Sequence, residues 1–151
     1  MTAVVVVLAA VVTTRSLTPT SDGSPIPSDT EQQRVITAAD EFTLRVDGFD
    51  GDHPDAYEKS VTQMLTTKYK ADFDKQFAQI KQLGIQKGEK GKGNVLASGI
   101  TDMDADSAKV LVAHDNTITS ANGTGLQHFR WTIDLVKVDG RWLVDDFNPV
   151  S

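Results

Sequence analysis

Five aspartates stand where a general acid or base could work: Asp40, Asp115, Asp134, Asp145 and Asp146. That chemistry needs a carboxylate in an apolar pocket, where loss of solvent raises its proton affinity. Asp40 follows Ala39 on a helix-like stretch, and Asp145 and Asp146 end the last strand-like run. A carboxylate on a helix flank or a strand end is most often a cap or a solvated charge. Three histidines, His53, His114 and His128, offer imidazole chemistry. None is paired with another four residues on, and none sits beside a serine elbow. His114 and His128 fall on strand-like runs and could meet across a sheet to hold a metal. A surface or partly buried role is the expectation for each.

The remaining motifs fail on spacing. Asp102-x-Asp104-x-Asp106 opens like a calcium loop, which also needs Gly at its sixth position and Glu at its twelfth. Those positions hold Ser107 and Ala113, so a solvated acidic turn is expected. Asp47, Asp50 and Asp52 read as turn formers. Gly88 to Gly93 has the glycine spacing of a phosphate-cradling loop, but Asn94-Val95 follows where Lys-Ser/Thr is required. The dinucleotide pattern fails as well, because Leu96 stands where a third glycine belongs. This glycine cluster is expected to be a mobile, exposed connection. Asn122-Gly-Thr124 meets the glycosylation sequon and is given no role. No catalytic residue, metal ligand or cofactor site is therefore assigned.

The elements that would position these groups are easier to read. Ser28-Asp-Thr-Glu31 is a capping box. Val35, Ala39, Phe42 and Val46 follow at helical spacing, and the helix should end near Asp47-Gly48. Asp50 to Pro54 reads as a turn. Ala56 to Leu65 predicts a second helix and Thr67 to Leu83 a third. The third carries an apolar stripe of Phe73, Phe77, Ile80 and Leu83 or Gly84. Strands are predicted over 94–103 and 109–119. A closing hairpin follows, in which Phe129, Trp131, Ile133 and Leu135 alternate with polar residues. Asp139-Gly140 fits a type I′ turn, and 141–147 returns until Pro149 stops it. Helices first and strands after predict an α+β fold, with N-terminal helices packed on a curved four-stranded antiparallel sheet.

Ahead of the capping box the chain has two further segments. Residues 1–14 are almost wholly apolar, and 15–28 are rich in Thr, Ser, Pro, Gly and Asp. The uncharged run from Thr2 to Val12 would span roughly 16 Å as a helix, against about 30 Å of hydrocarbon core. Three readings compete: a signal-peptide hydrophobic region, which lacks a basic start and a clean cleavage site, a buried valine-rich strand, and the remnant of a membrane anchor whose first part precedes Met1. The last is favoured because 15–28 follows as a flexible polar linker. The folded domain then covers 29–151. The chain has no cysteine, which excludes disulfides and thiolate metal sites. Its net charge of −6 argues against nucleic acid as a partner.

The order of three helices and four strands resembles the cystatin-like cone of the nuclear transport factor 2-like superfamily, which includes ketosteroid isomerases and polyketide cyclases. Within it, the closing stretch Val136 to Val150 is similar to that of actinobacterial Mce-associated (mammalian-cell-entry-associated) membrane proteins. Asp145-Asp146-Phe147-x-Pro149-Val150 is the sharpest part, and the Lys109 to Ala113 strand also matches. The resemblance implies a non-catalytic protein on the outer side of the plasma membrane, held by one N-terminal anchor. It would assist an envelope complex that imports lipid or sterol. Its partners would be the membrane and proteins of that complex, with a homodimer possible. The alternative is a small-molecule binder or an isomerase- or cyclase-like enzyme that uses the cone's cavity, for example through Asp40, His114 or His128.

Overall fold

The computed structural model describes residues 27–150. The apolar segment 1–14 and nearly all of the 15–28 linker lie outside the described residues. Three helices come first: α1 (Asp29–Asp47), α2 (Pro54–Thr62) and α3 (Thr67–Lys87). Four strands follow: β1 (Lys90–Met103), β2 (Ser107–Ser120), β3 (Gly123–Val138) and β4 (Arg141–Pro149). The sheet is an antiparallel meander in the order β1-β2-β3-β4. The predicted α+β architecture is the observed one. Among the described residues no helix is long and apolar enough to cross a membrane.

Helix α1 starts as its capping residues dictate. The Ser28 hydroxyl accepts from the Glu31 N–H at 3.3 Å. The Glu31 side chain does not close the reciprocal half of the box. It pairs instead with Arg34, Lys137 and the Trp142 indole N–H, which ties the start of α1 to the β3–β4 hairpin. Val35, Ala39 and Phe42 are buried, as their spacing requires. Helix α2 begins two residues earlier than predicted, because Pro54 takes its first turn, where a missing N–H costs nothing.

Helix α3 is capped by the Thr66 hydroxyl and runs four residues past the predicted end. It stops at Gly88, whose left-handed φ of 58° suits a residue without a side chain. Tyr69, Phe73, Phe77 and Gly84 form its buried stripe. Ile80, expected inside, is 63% exposed, and of the two alternatives for the last stripe position Gly84 is buried while Leu83 is 53% exposed.

The larger departure is at Gly88 to Gly93. Beyond Gly88 and Glu89, the expected mobile connection is instead the first part of β1, paired from Lys90↔Thr119 to Gly93↔Asn116. The reason is close approach. A Cβ on Gly91 would collide with the Asp47 carbonyl oxygen, and one on Gly93 would lie 2.5 Å from Asp47 Oδ2. Only glycine lets β1 pass beneath the end of α1. The β3–β4 turn follows prediction, with positive φ at both Asp139 and Gly140.

The core lies between α1 and the concave face of the sheet. Alternate residues of β2 (Val110, Val112, His114), β3 (Trp131, Ile133, Leu135) and β4 (Trp142, Val144) face inward and are buried. Phe147 is a hub of this interior, with ring centroids 5.1 Å from Phe42, 6.0 Å from Tyr69 and 5.0 Å from Trp131.

Candidate functional site

The carboxylates and histidines fall into two groups: pairs on the surface, and one pair inside. His53 Nδ1 lies 2.9 Å from Asp50 Oδ2 on the exposed turn before α2. His128 Nδ1 lies 2.6 Å from Asp115 Oδ1 on the outer face of the sheet. Asp134 pairs with Lys109 on that same face, at 3.0 Å. Asp104 and Ser107 close the β1–β2 turn, and among the described residues no three His, Asp or Glu side chains converge.

The possible meeting of His114 and His128 does not occur. In the β2–β3 register His114 faces Phe129, while His128 faces Asp115. One imidazole therefore points into the core and the other to solvent. Asp40 stays on the flank of α1, half-buried, with one carboxylate oxygen enclosed and without a hydrogen-bond partner among the described residues.

The tail carboxylates part company. Asp145, expected to be solvated, accepts from the Thr66 hydroxyl at 2.7 Å and from Lys68 at 3.1 Å. Thr66 caps α3 with the same oxygen, so Asp145 joins the last strand to the start of that helix. The Thr66 hydrogen bond, assisted by Lys68, holds the Asp145 carboxyl below its usual range against a smaller opposing effect of burial. Among the described residues the Asp146 carboxylate accepts from its near neighbour Asn148, at 2.9 Å.

The internal pair is Asp47 with His114, at 2.7 Å between Nδ1 and Oδ2. Their side chains are 1% and 0% exposed. The imidazole is 4.2 Å from the Trp131 ring centroid and stacks on Phe129 at 5.4 Å. Its Nε2 is enclosed, with no hydrogen-bond partner among the described residues. Burial pushes the Asp47 carboxyl above its usual range, while the charge and hydrogen bond of His114 pull it part of the way back. Nearby, the Tyr57 hydroxyl donates to the Val46 carbonyl at 2.9 Å, and burial, together with the Asp47 charge, raises the phenol.

Sequence reasoning placed Asp47 in a turn and missed this pair. A signal was present. His114 lies in phase with Val110 and Val112 on β2, so it had to face inward and needed a partner there. Gly91 and Gly93, two apart on β1, fall on that same inward face.

Asp47 also borders a cavity of about 320 Å³ at one end of the core. Its walls are Phe49, Tyr57, Phe77, Ile80, Leu83 and Ile118. Phe49, Tyr57 and Phe77 pack on each other at centroid distances of 5.1 to 6.2 Å. A larger depression, about 700 Å³, lies between the outer side of α1 and the β3–β4 turn and is open.

No family model matches the sequence. Two uncharacterised proteins of Mycobacterium tuberculosis, one from each of two strains, are 28% identical over 120 residues, which is 77% of this chain and 54% of each relative. The chain thus spans about half the length of the curated relatives it matches. Among solved structures, the periplasmic domain of DotI superposes with a TM-score of 0.70 at 15% identity, covering 85% of this chain and 99% of that one. An IcmL-like type IV secretion system protein from Legionella pneumophila gives 0.69 at 10% identity, covering 84% and 96%. At these identities the likeness is one of fold: three helices on an open four-stranded antiparallel sheet.

Proposed function

We propose that this chain is a non-catalytic, extracytoplasmic accessory domain of an envelope complex, held at the plasma membrane by its N-terminal segment. The observation that carries the reading is the filled cone. Where superfamily enzymes need an open cavity with a reactive group at its base, Phe42, Phe147, Trp131 and Ile133 occupy the centre. The buried Asp47–His114 pair bridges α1 to β2, with almost no surface through which a substrate could reach it. Two structural neighbours support the setting, since one is a periplasmic domain and the other a component of a secretion system. The tail resemblance, together with mycobacterial relatives, favours an Mce-type lipid or sterol import system as the complex.

The catalytic alternative would set Asp47 to work at the edge of the 320 Å³ cavity. Its 1% exposure and its hydrogen bond to His114 weigh against that. The accessory reading is tested by in-cell crosslinking of the full-length protein in a mycobacterial host, followed by capture from solubilised envelopes. Permease or substrate-binding components of a lipid importer are expected in the crosslinked set. Crosslinks confined to cytosolic proteins would sink the proposal.

A further inference from the structure

The cavity beside α3 has the makings of a binding site in its own right, separate from the question of which complex the domain serves. Its volume, about 320 Å³, is at the lower end for small-molecule pockets. Three packed aromatic rings, Phe49, Tyr57 and Phe77, form a fixed wall. At its rim Ile80 and Leu83, one helical turn apart on α3, stay 63% and 53% exposed. They are large apolar side chains at the mouth of an apolar hole, and an occupant would cover them.

Polar groups on the wall narrow the chemistry. Asn116 lines the cavity and is 8% exposed. Its Oδ1 accepts from the Lys92 N–H at 3.2 Å, and its amide nitrogen donates to no group among the described residues. That leaves the Asn116 NH2 group, with its two N–H donors on one nitrogen, to meet a ligand's oxygen. The charges that border the cavity, Asp47 and Glu89, are both acidic, and the cation nearest to Glu89, Lys87, stands 3.8 Å from it. An anionic ligand would meet repulsion there.

We propose that this cavity binds a small, uncharged, largely apolar molecule that carries a single hydrogen-bond acceptor, held between the Phe49–Tyr57–Phe77 wall and the Ile80–Leu83 rim with its acceptor on Asn116. The binding requires no chemistry at Asp47 and does not depend on the accessory reading.

Prodan, an uncharged naphthalene ketone whose emission shifts to the blue in apolar surroundings, is a suitable probe. Titrated into the purified full chain, it should bind saturably at one site per chain. Ile118→Trp, which fills the cavity, and Leu83→Ser, which trims its rim, should each weaken binding by about tenfold or more. Leu126→Ser, on an exposed residue of β3 that does not line the cavity, should leave it unchanged. Leu83 is already half exposed, so its variant tests the site even if Ile118→Trp fails to fold. The anionic analogue anilinonaphthalene sulfonate should bind more weakly than Prodan. Absence of saturable binding would overturn the proposal, as would Leu83→Ser binding like the unmodified chain. Equal or tighter binding of the sulfonate would overturn the assignment of an uncharged ligand.

Discussion

His114 and Asp47 are joined across 67 residues of sequence in a place that water barely reaches, so removing one partner strands the other. An unpaired buried charge costs about 3 to 5 kcal/mol, and His114→Phe is expected to lower stability by that amount in urea unfolding. Asp47→Asn keeps the shape and a hydrogen bond to the imidazole, so it should cost far less. The pair also sets a pH dependence with a definite sign. Burial raises the Asp47 carboxyl above its unfolded value of 3.8, so the folded chain holds this proton more tightly than the unfolded chain does. Stability linked to Asp47 is therefore greatest in acid and declines as pH rises from about 3.8 through the raised value. The stability of the unmodified chain relative to Asp47→Asn should fall across that window. A difference that rises with pH would refute the assignment. Asp145 has the opposite sign. Its carboxyl is lowered, so its contribution is present at neutral pH and is lost as acid protonates it.

At the scale of elements, β1 owes its position to two missing side chains. Gly91→Ala should destabilise the fold by about 3 kcal/mol or more, because the colliding atom is backbone and cannot rotate away. Gly99→Ala, on the same strand with open space around its would-be Cβ, should be tolerated. Thermal melts of the two variants side by side check the claim. Thr66→Val removes both the cap on α3 and the bond to Asp145, and should cost about 1 to 2 kcal/mol. The elements built on local rules were legible in the sequence. Ser28 sits where a cap must be, and Asp139-Gly140 where a type I′ turn must be. Phe129 to Leu135 keep a strict period of two. What stayed hidden depended on contacts between distant residues. Gly88 to Gly93 looks like a loop until α1 is laid over it. Ile80 continues a helical stripe that the sheet does not reach, and Asp47 resembles a turn former until His114 is brought to it.

For the molecule as a whole, the centre of the fold is filled by its own aromatic side chains, and the tail takes part in filling it. Phe147 packs on Phe42 and Trp131, Asp145 holds α3, and the Val150 N–H donates to the Arg130 carbonyl at 2.8 Å. The tail similarity that suggested an envelope protein therefore lies on residues with structural work to do in this fold. Fusing alkaline phosphatase after the last residue, in a mycobacterial host with the gene's native upstream sequence retained, reads out where the domain resides. An active phosphatase recovered with the membrane fraction is expected. An inactive fusion recovered from the soluble cytosol would overturn the extracytoplasmic placement.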